Sequence, residues 1–117
     1  MTEKVWVRRL CKSVTWFIVI PAKLKEFFKG VEYLKLKYYE NEDKLVITIA
    51  NLYDYVSETE NEWIRSLGKR VCYCRGGYTY MTLTIPSKIA KKWVSRGIHH
   101  VKIVFDGEKL VVSPLVV

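Results

Sequence analysis

The sequence predicts a mainly β domain with short helices, built from two β-β-α-β-β repeats in one chain. Three observations carry this. First, Ile20-Pro21-Ala22-Lys23-Leu24 returns as Ile85-Pro86-Ser87-Lys88-Ile89, and Lys44-Leu45-Val46-Ile47 as Lys109-Leu110-Val111-Val112, both at an offset of 65. Recurrence at a fixed offset is the mark of a repeat architecture. Second, the segments around these motifs alternate apolar and polar residues, the period of a half-buried strand. Third, each copy has a proline and a glycine bracketing a short helical pattern.

The elements follow in order. Val5 to Cys11, and Val71 to Arg75 in the second copy, are rich in β-branched and aromatic residues and read as strands. Met81, Leu83 and Ile85 alternate with Tyr80, Thr82 and Thr84, giving a strand with one apolar face. Trp16 to Ile20 is apolar throughout, so the matching strand of the first copy is covered on both faces or meets a partner. Pro21 and Pro86 open short helices. Leu24, Phe27 and Phe28, and Ile89, Trp93 and Val94, form their apolar faces. Lys23, Lys25, Lys88, Lys91 and Lys92 lie off those faces. Gly30 and Gly97 stand where a helix ends in the left-handed conformation. Leu34, Leu36 and Tyr38 match Val101, Ile103 and Phe105 on the third strands, and Asp106-Gly107 signals a hairpin to the last strand.

Residues 4–50 and 69–117 are thus two half-repeats of one domain, and 51–68 is an acidic connector. Ser57 and Thr59 each precede a Glu by three residues, as in a capping box. With Trp63, Ile64 and Leu67 behind them, they predict a short amphipathic helix over 58–67. Its exposed aromatic, Trp63, would offer a surface to a protein partner.

Charge is unevenly placed. The chain has 20 Lys and Arg against 12 Asp and Glu, a net +8. Residues 1–50 hold ten basic and six acidic residues, 51–68 one and four, and 69–117 nine and two. A basic surface of this size favours polyanionic partners. The longest apolar run is too short to span a bilayer, and the N-terminus lacks a signal-peptide layout. The expectation is a cytoplasmic protein without a membrane partner. The abundance of Lys, Tyr and Ile suggests an archaeal or viral source.

Three cysteines are an odd set for a disulfide scaffold. Cys72 and Cys74 would share one face of a strand, as buried small hydrophobes or an oxidisable pair. His99 and His100 are adjacent, so on a strand they point to opposite faces. That leaves no metal site and no cofactor pattern. The sequence also lacks a nucleophile triad, a phosphate loop or a convincing carboxylate pair, so an enzyme is not expected.

Ile-Pro-x-Lys at a strand-to-helix junction, an apolar helix ending in Gly, then Val-x-Ile-x-Phe-Asp-Gly-x-Lys-Leu-Val, together resemble the AbrB/MazE/SpoVT superfamily. The run from Arg75 to Pro86, with its Gly76-Gly77 turn, is similar to the archaeal branch. The resemblance implies a swapped-hairpin β-barrel. Such barrels are usually homodimers; this chain would carry both halves in tandem, as a monomeric pseudo-dimer or paired again as a homodimer. It also implies a transcription regulator that binds duplex DNA through basic residues of the first strands and nearby loops. Carried onto this sequence, these are Arg8, Arg9 and Lys12 in the first copy, and Lys69, Arg70 and Arg75 in the second.

The residue chemistry suits that role independently. Arginine bonds phosphate in bidentate fashion or reads guanine. Gly76 and Gly77 allow close backbone approach, and Tyr78 can pack on sugars or bond phosphate. The larger charge and the glycine pair mark the second copy as the stronger DNA-contacting half. The alternative is a protein-interaction module, antitoxin-like or an adaptor, that has lost DNA binding.

Overall fold

The computed structural model describes residues 3–51, 61–72 and 78–116. The first half runs β1 (Lys4–Arg9), β2 (Cys11–Lys12), β3 (Trp16–Val19), a 3-10 turn (Ala22–Leu24), β4 (Tyr33–Tyr39) and β5 (Lys44–Ile49). The second runs β6 (Glu62–Ser66), β7 (Gly68–Cys72), β8 (Tyr78–Thr84), α1 (Ser87–Ser95), β9 (His100–Phe105) and β10 (Leu110–Leu115). The strands build two antiparallel sheets. One is ordered β1-β9-β10-β5-β4-β6, the other β2-β3-β8-β7.

Both orders read the same in either direction once β1 to β5 are exchanged for β6 to β10. The pairing register obeys that exchange residue by residue. Ile18 pairs with Leu83, flanked by Phe17 on Thr84 and Val19 on Thr82. Val46 pairs with Val111, flanked by Leu45 on Val112 and Ile47 on Leu110. In both ladders the central partners are 65 positions apart, so an approximate two-fold axis runs through these two pairs. Each half also lends its first strand to the other: β1 pairs with β9, and β6 pairs with β4.

This arrangement corrects the reading of the connector. Residues 62–66 are not helical; they form β6, an edge strand placed as β1 is. Trp6 lies opposite Ile103 and Trp63 opposite Leu36. The sequence carries the match: Trp6-Val7-Arg8-Arg9-Leu10-Cys11-Lys12 corresponds to Trp63-Ile64-Arg65-Ser66-Leu67-Gly68-Lys69. Lys69 therefore corresponds to Lys12. Three residues separate Lys12 from Trp16, whereas eleven separate Lys69 from Met81, and that long insertion hid the correspondence. Trp63 is buried at 6% exposure, so it forms core rather than an exposed partner surface. Residues 52–60, which carry most of the expected capping signals, lie outside the described residues.

The two sheets enclose one core. Leu34, Leu36, Leu45 and Ile47 face Val101, Ile103, Leu110 and Val112 across the six-stranded sheet, with Ile18, Ile20, Leu83 and Ile85 from the four-stranded one. The chain passes between sheets at Leu10 and Leu67. Their amides donate to His99 O at 2.8 Å and Glu32 O at 2.9 Å. Strands that switch sheets at corners are one way to close such a sandwich. Gly68 follows the second corner, where a Cβ would collide with the buried Thr82 hydroxyl.

The segments after the two prolines differ. Ile89, Ala90 and Trp93 bury one stripe of a full α-helix, α1. Residues 22–30 form only a 3-10 turn and further turns around Leu24 and Phe28. Pro21 and Pro86 stand just before the first helical residue rather than on it. Gly30 and Gly97 have φ of 75° and 77°, the left-handed ends expected of them.

A polar network fastens α1 to the turn between β4 and β5. Asp43 Oδ1 accepts from Tyr38 Oη at 2.5 Å and from Trp93 Nε1 at 2.9 Å. Asp43 Oδ2 accepts from Arg96 Nη1 at 2.7 Å, and Lys92 Nζ donates to Tyr38 Oη at 3.0 Å. Burial pushes the Asp43 carboxyl up. The bonds from Trp93, Tyr38 and Arg96, with the charge of Arg96, outweigh it and hold the pKa below the ordinary carboxylate value. Across the pseudo-axis, Phe27 and Phe105 stand where Lys92 and Tyr38 do. There Phe27 packs edge-on against Phe28 and Phe105, each 4.9 Å away. One joint is polar, its counterpart aromatic.

Two predictions follow from these contacts. Leu83→Ala removes a fully buried side chain on the pseudo-axis and should cost about 2–5 kcal/mol in urea unfolding. Asp43→Asn keeps a residue that tolerates the left-handed backbone there, φ 50°, but removes the charge. It should cost about 1–3 kcal/mol at neutral pH. A depressed carboxyl stabilises fully above its unfolded pKa of about 3.9 and loses that effect as pH falls through the lower folded value. The gap between wild type and Asp43→Asn should therefore close in acid. A gap equal at pH 7 and pH 2 would contradict the network's charge dependence.

Candidate nucleic-acid interface

β1 alternates its side chains, and this separates the two arginines predicted to act together. Arg9 is exposed on the outer face of the six-stranded sheet, where its backbone partner is His100. Arg8 is half-buried on the inner side. It faces a different cavity, with Lys25 and Phe28. The structure thus keeps Arg9 with Lys12 and removes Arg8 from their surface.

Arg9, Leu10, Cys11, Lys12, Trp16 and His99 line a groove of about 500 Å³. Lys12 and Trp16 are cross-strand partners, and the ammonium sits 5.1 Å from the centre of the indole. Lys12 Nζ also donates to Val14 O at 3.3 Å. Cys11 is a free, half-buried thiol whose Sγ lies 3.6 Å from Arg9 O. His99 lines a second groove of about 440 Å³ with Arg96 and His100. His100 and Lys102 continue this exposed face along β9, since Val7 pairs with Lys102 as Arg9 does with His100, and Lys102 adds a further cation. Among the described residues, Arg9 and Lys12 have no carboxylate partner. Arg96 is different, because Asp43 already neutralises it.

The pseudo-axis supplies a comparison within the molecule. At the positions of Arg9, Cys11 and Trp16 the other half has Ser66, Gly68 and Met81. Glu32 and Tyr33 replace His99 and His100. The counterpart keeps only Lys69 of the basic pair and adds a carboxylate. Among described residues, the basic and aromatic groove thus belongs to β1, β2 and β3 of the first half, completed by His99 just ahead of β9 of the second. The residues on which the expectation of a stronger second copy rests, Arg75, Gly76 and Gly77, lie outside the described residues.

Lys69 and Arg70 lie on β7, and Tyr78 opens β8 opposite Cys72. The side chains of these residues, and all of Arg75, Gly76 and Gly77, lie outside the described residues. So do the Cys72 thiol and Cys74.

Two of the helix lysines have structural duties. Lys88 Nζ donates to Asn61 Oδ1 at 2.6 Å, tying α1 to the start of β6, and Lys92 belongs to the Asp43 network. Sequence reasoning did not include Trp16, His99, His100 or Lys102 in the site. The first-copy motif contains Trp16, but the histidines join it only through the β1–β9 pairing between halves.

Among the described residues no cluster of three or more His, Cys, Asp or Glu could hold a metal, and no helix is long and apolar enough to cross a membrane. In comparisons with known proteins, no family model, curated protein or solved structure matches the chain.

Proposed function

We propose that the protein is a DNA-binding regulator that engages duplex phosphates through the Arg9–Lys12 surface. The supporting observation is the juxtaposition of two exposed cations, without a carboxylate partner among the described residues, with Trp16 and His99 on a chain of net +8. Arginine and lysine supply phosphate contacts, and an indole beside them suits packing on sugar. The palindromic strand order and the exchanged first strands fit the tandem, AbrB-like swapped-hairpin barrel that the sequence motifs resemble. In this reading Lys69, Arg70, Arg75, Gly76, Gly77 and Tyr78 add contacts from the second half. Contact is then unequal between halves, because Ser66 and Glu32 face the duplex where Arg9 and His99 do opposite.

A competing reading, a protein-interaction module, draws on Val5 and Val7 of edge strand β1, 52% and 47% exposed. Edge strands with exposed apolar residues can accept a partner strand.

An electrophoretic shift across a salt series separates the two. DNA binding through about five to seven phosphates should give a log–log salt slope of roughly −4 to −7. Arg9→Ala with Lys12→Ala should reduce the slope by about two and weaken binding at all sequences alike, with little change in melting temperature. Absence of any shift at low salt, or a flat salt dependence, would sink the DNA reading. A stoichiometric protein partner recovered alongside would then favour the module.

A further inference from the structure

The half-buried Arg8 lies outside that surface. Beside it lies a cavity of about 390 Å³, between β1, the start of β8 and the turns after Pro21. Such a volume falls in the range of small-ligand pockets. Its walls are largely apolar: Val19, Ile20, Phe28 and Met81. Its cations are Arg8 and Lys25. Among the described residues neither has a carboxylate partner, and Arg8 reaches only its neighbour's carbonyl, Val7 O at 3.0 Å. A guanidinium has five N–H donors, and partial burial limits what water can offer them.

We propose that this cavity binds a small amphipathic carboxylate, with its alkyl chain among the apolar walls and its head group on Arg8 and Lys25. The charge complementarity is specific to this side. Across the pseudo-axis Lys25 is replaced by the fully buried Ala90, and Phe28 by the larger, fully buried Trp93. The first half lacks the regular helix that α1 provides on the other side. Turns in place of a helix, a smaller aromatic and a lysine all distinguish the same place. The site does not depend on DNA binding, since the Arg9–Lys12 surface lies on the other face of β1.

Isothermal titration of the full chain with hexanoate, octanoate, decanoate and decanol tests this. Affinity should rise about threefold to fourfold per added methylene. Decanol, with the same chain and no charge, should bind at least tenfold more weakly than decanoate. Arg8→Gln should weaken decanoate at least tenfold and leave decanol unchanged. Lys25→Gln, at an exposed position, tests the same charge should Arg8→Gln not fold. Ala22→Phe, on the rim, should weaken both ligands. Equal binding of decanol and decanoate, indifference to both charge substitutions, or no heat from decanoate at millimolar concentration would overturn the proposal.

Discussion

The Ile18–Leu83 and Val46–Val111 pairs join two halves, neither of which completes a sheet alone. Without the first ladder the four-stranded sheet separates into β2-β3 and β7-β8 hairpins. Two-stranded hairpins are marginal in water. Without the second, the six-stranded sheet separates between β5 and β10. The core is contiguous only because these ladders hold side chains of both halves on the same inner faces. Stability, and the placement of every surface group discussed above, follows from that cross-half pairing.

The exchange of first strands adds a second tie. β1 covers β9 and β6 covers β4, so each half closes an edge the other would leave exposed. It also explains why surfaces on this protein are composite. Arg9 and Lys12 come from one half and His99 and His100 from the other. The two-fold relation does not make the surfaces equal. The ladder fixes backbone pairing and leaves exposed side chains unconstrained, so Ser66 and Glu32 stand where Arg9 and His99 do on equivalent scaffolding.

Much of the scaffold was legible in the residues. The alternation in β4, β8 and β9, the left-handed glycines and the Asp106-Gly107 turn all reflect local physics, and local physics is written locally. Asp106 accepts from the amides of Glu108 and Lys109 at 2.9 and 3.0 Å, as a turn aspartate should. β6 was not legible in that way. Trp63, Ile64 and Leu67 with acidic residues ahead of them fit a helical stripe, and only pairing with β4 makes the segment a strand. Tertiary pairing overrides such weak local preference. Its equivalence to β1 was present as Trp-x-Arg-x-Leu-x-Lys, but the longer stretch before Met81 displaced it from the main offset. The split between Arg8 and Arg9 was available from strand alternation alone. Treating the pair as one basic patch overlooked it.

That split bears on how the two proposed ligand surfaces could share one small fold. Successive residues of a strand face opposite ways, so an arginine pair on an edge strand supplies a cation to each side with no added structure. On the outer side the charge remains solvated and long-ranged, which suits capture of a polyanion. On the inner side it meets an apolar cavity, where a charge is costly unless paired. A ligand there would need both a negative head and an apolar body, a requirement no phosphate backbone meets. In the two proposed readings the arginines would select different chemistries for a physical reason, the polarity of what lies beside each. The pseudo-two-fold makes the same point from the other side of the molecule. Arg65, the counterpart of Arg8, has Ala90 and Trp93 in place of Lys25 and Phe28, so the surroundings proposed to make Arg8 an anion site are not repeated there.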